Sequence, residues 1–177
     1  MRRQFDWLAP HWDSLRAPGY MEAFEAGLAA VPRAHRVLDV GTGTGLGAFA
    51  IGARFPAAEV VGVDLSGDMV AEARRNTPPE MAGRVRFERA DASQLPFPDE
   101  SFDLVALGNM IPFFDELARV LVRDGTLLIA FSSGAETPIY VPSELLRTEL
   151  QRRGFSDFAE YTAHPGTAVL ARKGSQG

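Results

Sequence analysis

The 177-residue sequence contains no cysteine, which excludes disulfide staples, cysteine-based zinc clusters and thiol chemistry. Lysine is almost as scarce: Lys173 is the only one, so arginine carries nearly all the positive charge. Histidine occurs three times, as His11, His35 and His164, and none stands in a pattern that marks a general base. No apolar run approaches the roughly 20 residues that a bilayer-spanning helix needs. The start, Met1-Arg2-Arg3-Gln4-Phe5-Asp6, lacks the apolar core of a secretory signal, so a cytoplasmic location with no membrane partner is expected. Cations are in deficit overall. A formal charge of −5 argues against nucleic acid as a partner, because broad binding of that kind depends on neutralising phosphates. Repeats, linkers and low-complexity segments are also missing.

What is present suits one domain spanning 1–177. With 46% hydrophobic and 23% charged residues, the chain can bury a full core without staples. Residues 1–31 read as a helical cap, with helices over about 3–15 and 19–31, and 174–177 as a frayed tail. Between them, apolar runs predict strands near 36–40, 59–63, 84–88, 102–107 and 125–131. Helices are expected between these runs, near 45–54, 67–76 and 113–121. This alternation is that of an α/β fold. Pro78-Pro79 interrupts the chain before the third strand. A helix over about 142–150 has Pro142 at its start and Gly154 beyond its end. The alternating runs 155–161 and 167–172, joined by His164-Pro165-Gly166, read as a hairpin.

The richest stretch is Val37-Leu38-Asp39-Val40-Gly41-Thr42-Gly43-Thr44-Gly45. It sets a buried strand, an acid and three alternating glycines directly before a helix. A second strand, Val60-Val61-Gly62-Val63, ends in another acid, Asp64. Together they describe a βαβ unit that grips a nucleoside. The dinucleotide fingerprint G-x-G-x-x-G fails from Gly41, because position 46 is Leu46, and passes from Gly43 only if Ala48 takes the last slot. A carboxylate at Asp39 would oppose a nearby pyrophosphate but suits a ligand with an amino group or positive charge.

The pattern D-x-G-x-G-x-G resembles motif I of the class I S-adenosylmethionine-dependent methyltransferases, and the resemblance runs over most of the chain. Gly62-Val63-Asp64-Leu65-Ser66, the helix opening Ser66-Gly67-Asp68-Met69, and Glu88-Arg89-Ala90-Asp91-Ala92 resemble the family's next motifs. So do Leu107-Gly108-Asn109 after the fourth strand and Asp124-Gly125-Thr126 before the fifth. The resemblance implies a Rossmann-like three-layer α/β/α sandwich, with a mostly parallel seven-stranded sheet and an antiparallel C-terminal strand. It implies S-adenosyl-L-methionine as cofactor, with Asp39, Gly41, Thr42, Gly43 and Gly45 around its methionine end. Asp64 and Leu65 would then meet the ribose, Met69, Asp91 and Ala92 the adenine, and Gly108 and Asn109 the methyl group, with Trp12 closing from the cap. Asp39 has a second reading, as a brace for the glycine loop, and Asp103 reads as structural.

No catalytic residue is assigned. An activated methyl can be transferred by positioning alone, which supplies on the order of 7–11 kcal/mol, so a base is optional. Met110-Ile111-Pro112 after Asn109 departs from the Asn-Pro-Pro-aromatic signature of methyltransferases acting on nucleic acids or glutamine. Candidates for the acceptor pocket are Phe5, Trp7, Trp12 and Tyr20, then 109–114, then Ser132, Ser133 and Tyr140. That wall favours a small, uncharged or aromatic acceptor, with a protein side chain as the other possibility. Two further readings stay open: a module that binds the cofactor without turnover, and a nicotinamide-dependent oxidoreductase resting on the Gly43-x-Gly45-x-x-Ala48 register.

Overall fold

The computed structural model describes residues 19–175. Its centre is a seven-stranded sheet built from β1 (Arg36–Val40), β2 (Glu59–Asp64), β3 (Val85–Arg89), β4 (Phe102–Gly108), β5 (Leu121–Phe131), β6 (Phe155–Ala163) and β7 (Gly166–Lys173). The spatial order is β3-β2-β1-β4-β5-β7-β6. Pairings among β1 to β5 are parallel, whereas β7 runs antiparallel to both β5 and β6. The mostly parallel sheet with one reversed C-terminal strand is thus observed.

Parallel strands buried on both faces read as continuous apolar runs, and the parity of the side chains decides which helices they meet. Val37, Leu104, Ala106, Leu128 and Ala130 face α1 (Glu22–Ala29), α2 (Leu46–Arg54) and α3 (Gly67–Arg75). Leu38, Val105, Leu107, Leu127 and Ile129 face α4 (Phe114–Val120) and α5 (Ser143–Gln151). Three layers result. Gly62 marks the tightest approach: a Cβ there would fall 2.6 Å from both Phe87 Cδ1 and Thr42 Oγ1. Any side chain at that point would have to displace the Phe87 ring and the Thr42 hydroxyl.

Boundaries moved where backbone pairing outran side-chain pattern. The cap helix expected over 19–31 is confined to Glu22–Ala29, and the part expected over 3–15 lies outside the described residues. Strand β5 begins at Leu121 rather than at 125, because Leu121 pairs with Phe102 before the ladder shifts and resumes at Leu104 and Thr126. The Asp124-Gly125 turn is therefore housed inside the strand, with Asp124 at φ 60°. Gly174 is not frayed, since its N–H donates to the Gly154 carbonyl at 2.8 Å. Short helical turns at Pro79–Met81 and Gly134–Glu136 were not anticipated.

Candidate cofactor site

The crevice lies beyond the carboxyl ends of β1, β2, β3 and β4, where ligands sit in open α/β sheets. Its floor is the glycine loop. Gly41, Gly43 and Gly45 all have positive φ, at 70°, 56° and 97°, a region that costs glycine little. Hydrogen bonds stitch the loop to its neighbours. Thr42 N–H donates to the Val63 carbonyl at 2.9 Å, and Gly43 N–H donates to Asp64 Oδ2 at 2.9 Å. The other Asp64 oxygen, Oδ1, accepts the Ser66 N–H at 2.9 Å.

Asp39 lies underneath this loop. It is 3% exposed, accepts from Thr42 Oγ1 at 2.7 Å, and takes the Ala48 backbone N–H in the first turn of α2. Burial pushes its carboxyl up to about 7, against the opposing pull of the Thr42 and Ala48 hydrogen bonds, and the negative Asp64 nearby adds to the rise. The geometry is that of a loop brace. It also bears on what the crevice accepts. A diphosphate bound in the Rossmann manner uses the free amides and positive dipole of this helix terminus. Here an Ala48 amide and the Thr42 hydroxyl are already committed to a protein carboxyl.

The other expected residues among those described lie at or after the ends of β2, β3 and β4. Ala90 N–H donates to the Asp64 carbonyl at 3.0 Å, which brings the end of β3 beside the end of β2. Asp91 Oδ1 accepts the Ser93 N–H at 2.8 Å and the Ser93 hydroxyl at 2.6 Å. Those bonds, hydroxyl first, hold its carboxyl below the usual range. Leu65 is 48% exposed at the rim, whereas the Met69 side chain is buried at 3%, its N–H capped by Ser66 Oγ at 3.2 Å. Gly108 ends β4. Asn109, at φ 53°, spends Oδ1 on the Ser132 N–H and hydroxyl, at 2.8 and 3.1 Å. It ties the tops of β4 and β5 together. Trp12, with Phe5, Trp7 and His11, lies outside the described residues.

Met110 packs against the loop: a Cβ added on Gly41 would collide with its Sδ. Ile111 and Phe113 follow it, exposed at 55% and 38%. His35 lies at the opposite end of the sheet, where its N–H and that of Arg36 donate to the Asp103 carboxylate at 3.0 and 3.1 Å. Asp103 is thus a clasp at the start of β1. A cavity of about 60 Å³ against the end of β5, lined by Phe131, Tyr140, Val141, Ser143, Glu160 and Thr167, is separate from the glycine loop.

A family model described as a methyltransferase domain matches residues 37–125, half of the chain. The chain belongs to this methyltransferase-domain family. The matched stretch of the methyltransferase domain runs from β1 through the Asp124-Gly125 turn and so contains the glycine loop, Asp64, Asp91 and Asn109. A demethylmenaquinone methyltransferase from Thermus thermophilus is 42% identical over 115 residues, 60% of this chain and 50% of that protein. An uncharacterised Bacillus subtilis methyltransferase is 36% identical over 112 residues, 59% of this chain and 44% of that one. The chain spans about half the length of these curated relatives. Among solved structures, the complex of the Haloferax volcanii Trm112 methyltransferase activator with a methyltransferase superposes with a TM-score of 0.80 at 19% identity. The match covers 97% of this chain and 98% of that one. The methyltransferase fold is therefore common to both.

The cofactor expected of the methyltransferase domain fits these residues on two counts. The Asp64 carboxylate stands beside the glycine loop at the end of β2, a group suited to a nucleoside's hydroxyls and not to a phosphate. The end of β3 supplies a carboxylate and the next backbone N–H, at Asp91 and Ala92, side by side. Sequence reasoning did not find Glu116 and Arg119, which tie the β3–β4 connection to α4; an i,i+3 acid–arginine pair facing a loop with its own acid was the available signal.

Proposed function

We propose that this domain transfers the methyl group of S-adenosyl-L-methionine to a small, uncharged aromatic acceptor. The observation that carries the reading is the Asp39 brace: with the helix terminus occupied from within, the crevice favours a phosphate-free nucleoside over a dinucleotide. Membership of the methyltransferase-domain family supports it.

When bound, the cofactor supplies a methyl on a sulfonium, already activated toward a nucleophile. The chain's work is then positional. Asp64 would accept from the ribose hydroxyls, and a carboxylate can take both. The glycine loop, without Cβ atoms at Gly41, Gly43 and Gly45, would leave room for the amino-acid tail, and Asp91 and Ala92 would meet the adenine edge. Met110, seated against Gly41, would border the reacting end and keep water from it. Its neighbours Ile111 and Phe113 offer apolar surface to the acceptor. A flat ring pressed against such a wall is held aligned, a large share of what such a site can contribute, and the proton that the ring carbon loses on gaining the methyl would pass to water.

The acceptor class draws on the same wall and on the Thermus relative, whose name gives demethylmenaquinone as its substrate. A reduced naphthoquinone carrying a free ring position is the first acceptor to try. Incubation with methyl-labelled cofactor should place label in the organic-soluble product. Cofactor binding without labelled product, across a panel of phenols and reduced quinones, would instead point to a module that binds without turnover.

A further inference from the structure

Arginine Arg119 touches neither the glycine loop nor the strand ends, yet all its donors are engaged around one stretch of chain. Nη1 donates to the Phe97 carbonyl at 2.7 Å and Asp99 Oδ1 at 2.9 Å. Nη2 donates to the Leu95 carbonyl at 3.0 Å and Glu116 Oε2 at 2.8 Å, and Nε to Glu116 Oε1 at 2.7 Å. Glu116 Oε2 in turn accepts the Leu95 N–H at 2.6 Å. Both backbone polar groups of Leu95 are therefore held by one turn of α4, and its side chain is buried at 4% exposure. Phe97 is fixed as well, edge-on to Phe102 at 5.0 Å.

Leu95 follows Asp91 and Ala92 by a single closed turn. Gln94 N–H donates to the Asp91 carbonyl at 3.1 Å, and Ser93 is bonded to the Asp91 side chain. The turn has two fixed ends: Ala90, bonded to Asp64, and Leu95, bonded to α4. An ion pair at the surface contributes little by itself. What the guanidinium supplies here is a planar fork that reaches two carbonyls and a carboxylate together, which a lysine ammonium at one point cannot do.

We infer that Glu116 and Arg119 are positioning residues for adenine recognition, setting the Asp91–Ala92 turn at its working distance through Leu95. This rests on the cofactor reading above. The discriminating atom is the exocyclic nitrogen of the base. An amino group donates to the Asp91 carboxylate, whereas the oxo group of hypoxanthine would confront it with a second acceptor. Sites built to pair a donor reject the analogue lacking it more strongly than apolar sites do.

The test is calorimetry on the full chain with two ligands, S-adenosylhomocysteine and S-inosylhomocysteine, for the wild type and for Arg119→Gln, Arg119→Lys and Glu116→Gln. The wild type should prefer the adenosyl ligand by about tenfold or more, given one charge-assisted hydrogen bond. Each variant should lose most of that preference, through weaker adenosyl binding and nearly constant inosyl binding. A purely structural role would weaken both ligands alike and leave the ratio intact, which would overturn the inference. So would a wild type that binds both equally. A wild type that binds neither overturns the cofactor reading itself and takes this inference with it. Should Arg119→Gln fail to fold, Glu116→Gln reads the same ratio.

Discussion

Replacing Asp39 by asparagine tests the brace directly. The two side chains are nearly the same size, and the asparagine oxygen can still accept the Ala48 N–H while its amide donates to Thr42 Oγ1. What disappears is the ionisable proton. In the folded protein that proton is held up to about 7, against 3.8 for an unburdened carboxyl. Between those values the native state binds more protons than the unfolded chain, so stability declines as pH rises. The contribution is fully present below about pH 4 and is gone above the folded value. A separation of about three units corresponds to about 4 kcal/mol at 1.36 kcal/mol per unit. Other carboxylates add their own pH dependence, such as Glu116, held below its usual range by the Arg119 hydrogen bond. They are common to both proteins and cancel in the difference. Urea unfolding at half-unit steps from pH 4 to 8 measures that difference. The variant should gain steadily on the wild type across the window, by about 4 kcal/mol in total. A difference that stays flat from pH 4 to 8 would refute the burial argument. A difference that runs the other way would mean that Asp39 is stabilised as an anion.

Three other outcomes follow from the geometry. Asp64→Ala should weaken S-adenosylhomocysteine binding by about 2–3 kcal/mol, the cost of two charge-assisted hydrogen bonds, and calorimetry giving an unchanged Kd would take Asp64 off the ribose. Gly62→Ala should cost about 1–3 kcal/mol of stability through overpacking against Phe87 and Thr42, read as a lower Tm; an unshifted Tm would show that the loop yields freely. Lys173→Ala removes the two 2.7 Å hydrogen bonds that its ammonium gives to the Ala118 and Leu121 carbonyls, at about 1 kcal/mol, and an unmoved urea midpoint would contradict it.

The βαβ core was legible because two physical signals coincide there: unbroken apolar runs and glycines at a place where only glycine is comfortable. Asp39 and Asp64 could be picked out as special, since an acid at a buried strand end needs a reason. Which reason was not legible for Asp39. Its partners, Thr42 and Ala48, are near in sequence, but the burial that makes it a brace comes from the whole sheet. The early start of β5 was hidden because Asp124-Gly125 carries a strong turn signal, and the turn is real; only the long-range pairing of Leu121 with Phe102 shows that the ladder continues through it. The bonds that Asn109 Oδ1 accepts from Ser132, twenty-three residues away, were not legible either. Contacts at that separation leave no trace in local periodicity.

The strand made after β6 does not lie outside it in the sheet. Because β7 inserts between β5 and β6, the C-terminal residues of the ladder form an inner seam with hydrogen-bonding neighbours on both sides. A nascent chain that has emerged as far as 163 has β6 in hand but nothing to dock it on, and β5 is left with a bare flank. Assembly of that half of the sheet must therefore await the making of β7. Removing β7 would open the middle of the fabric rather than trim its hem.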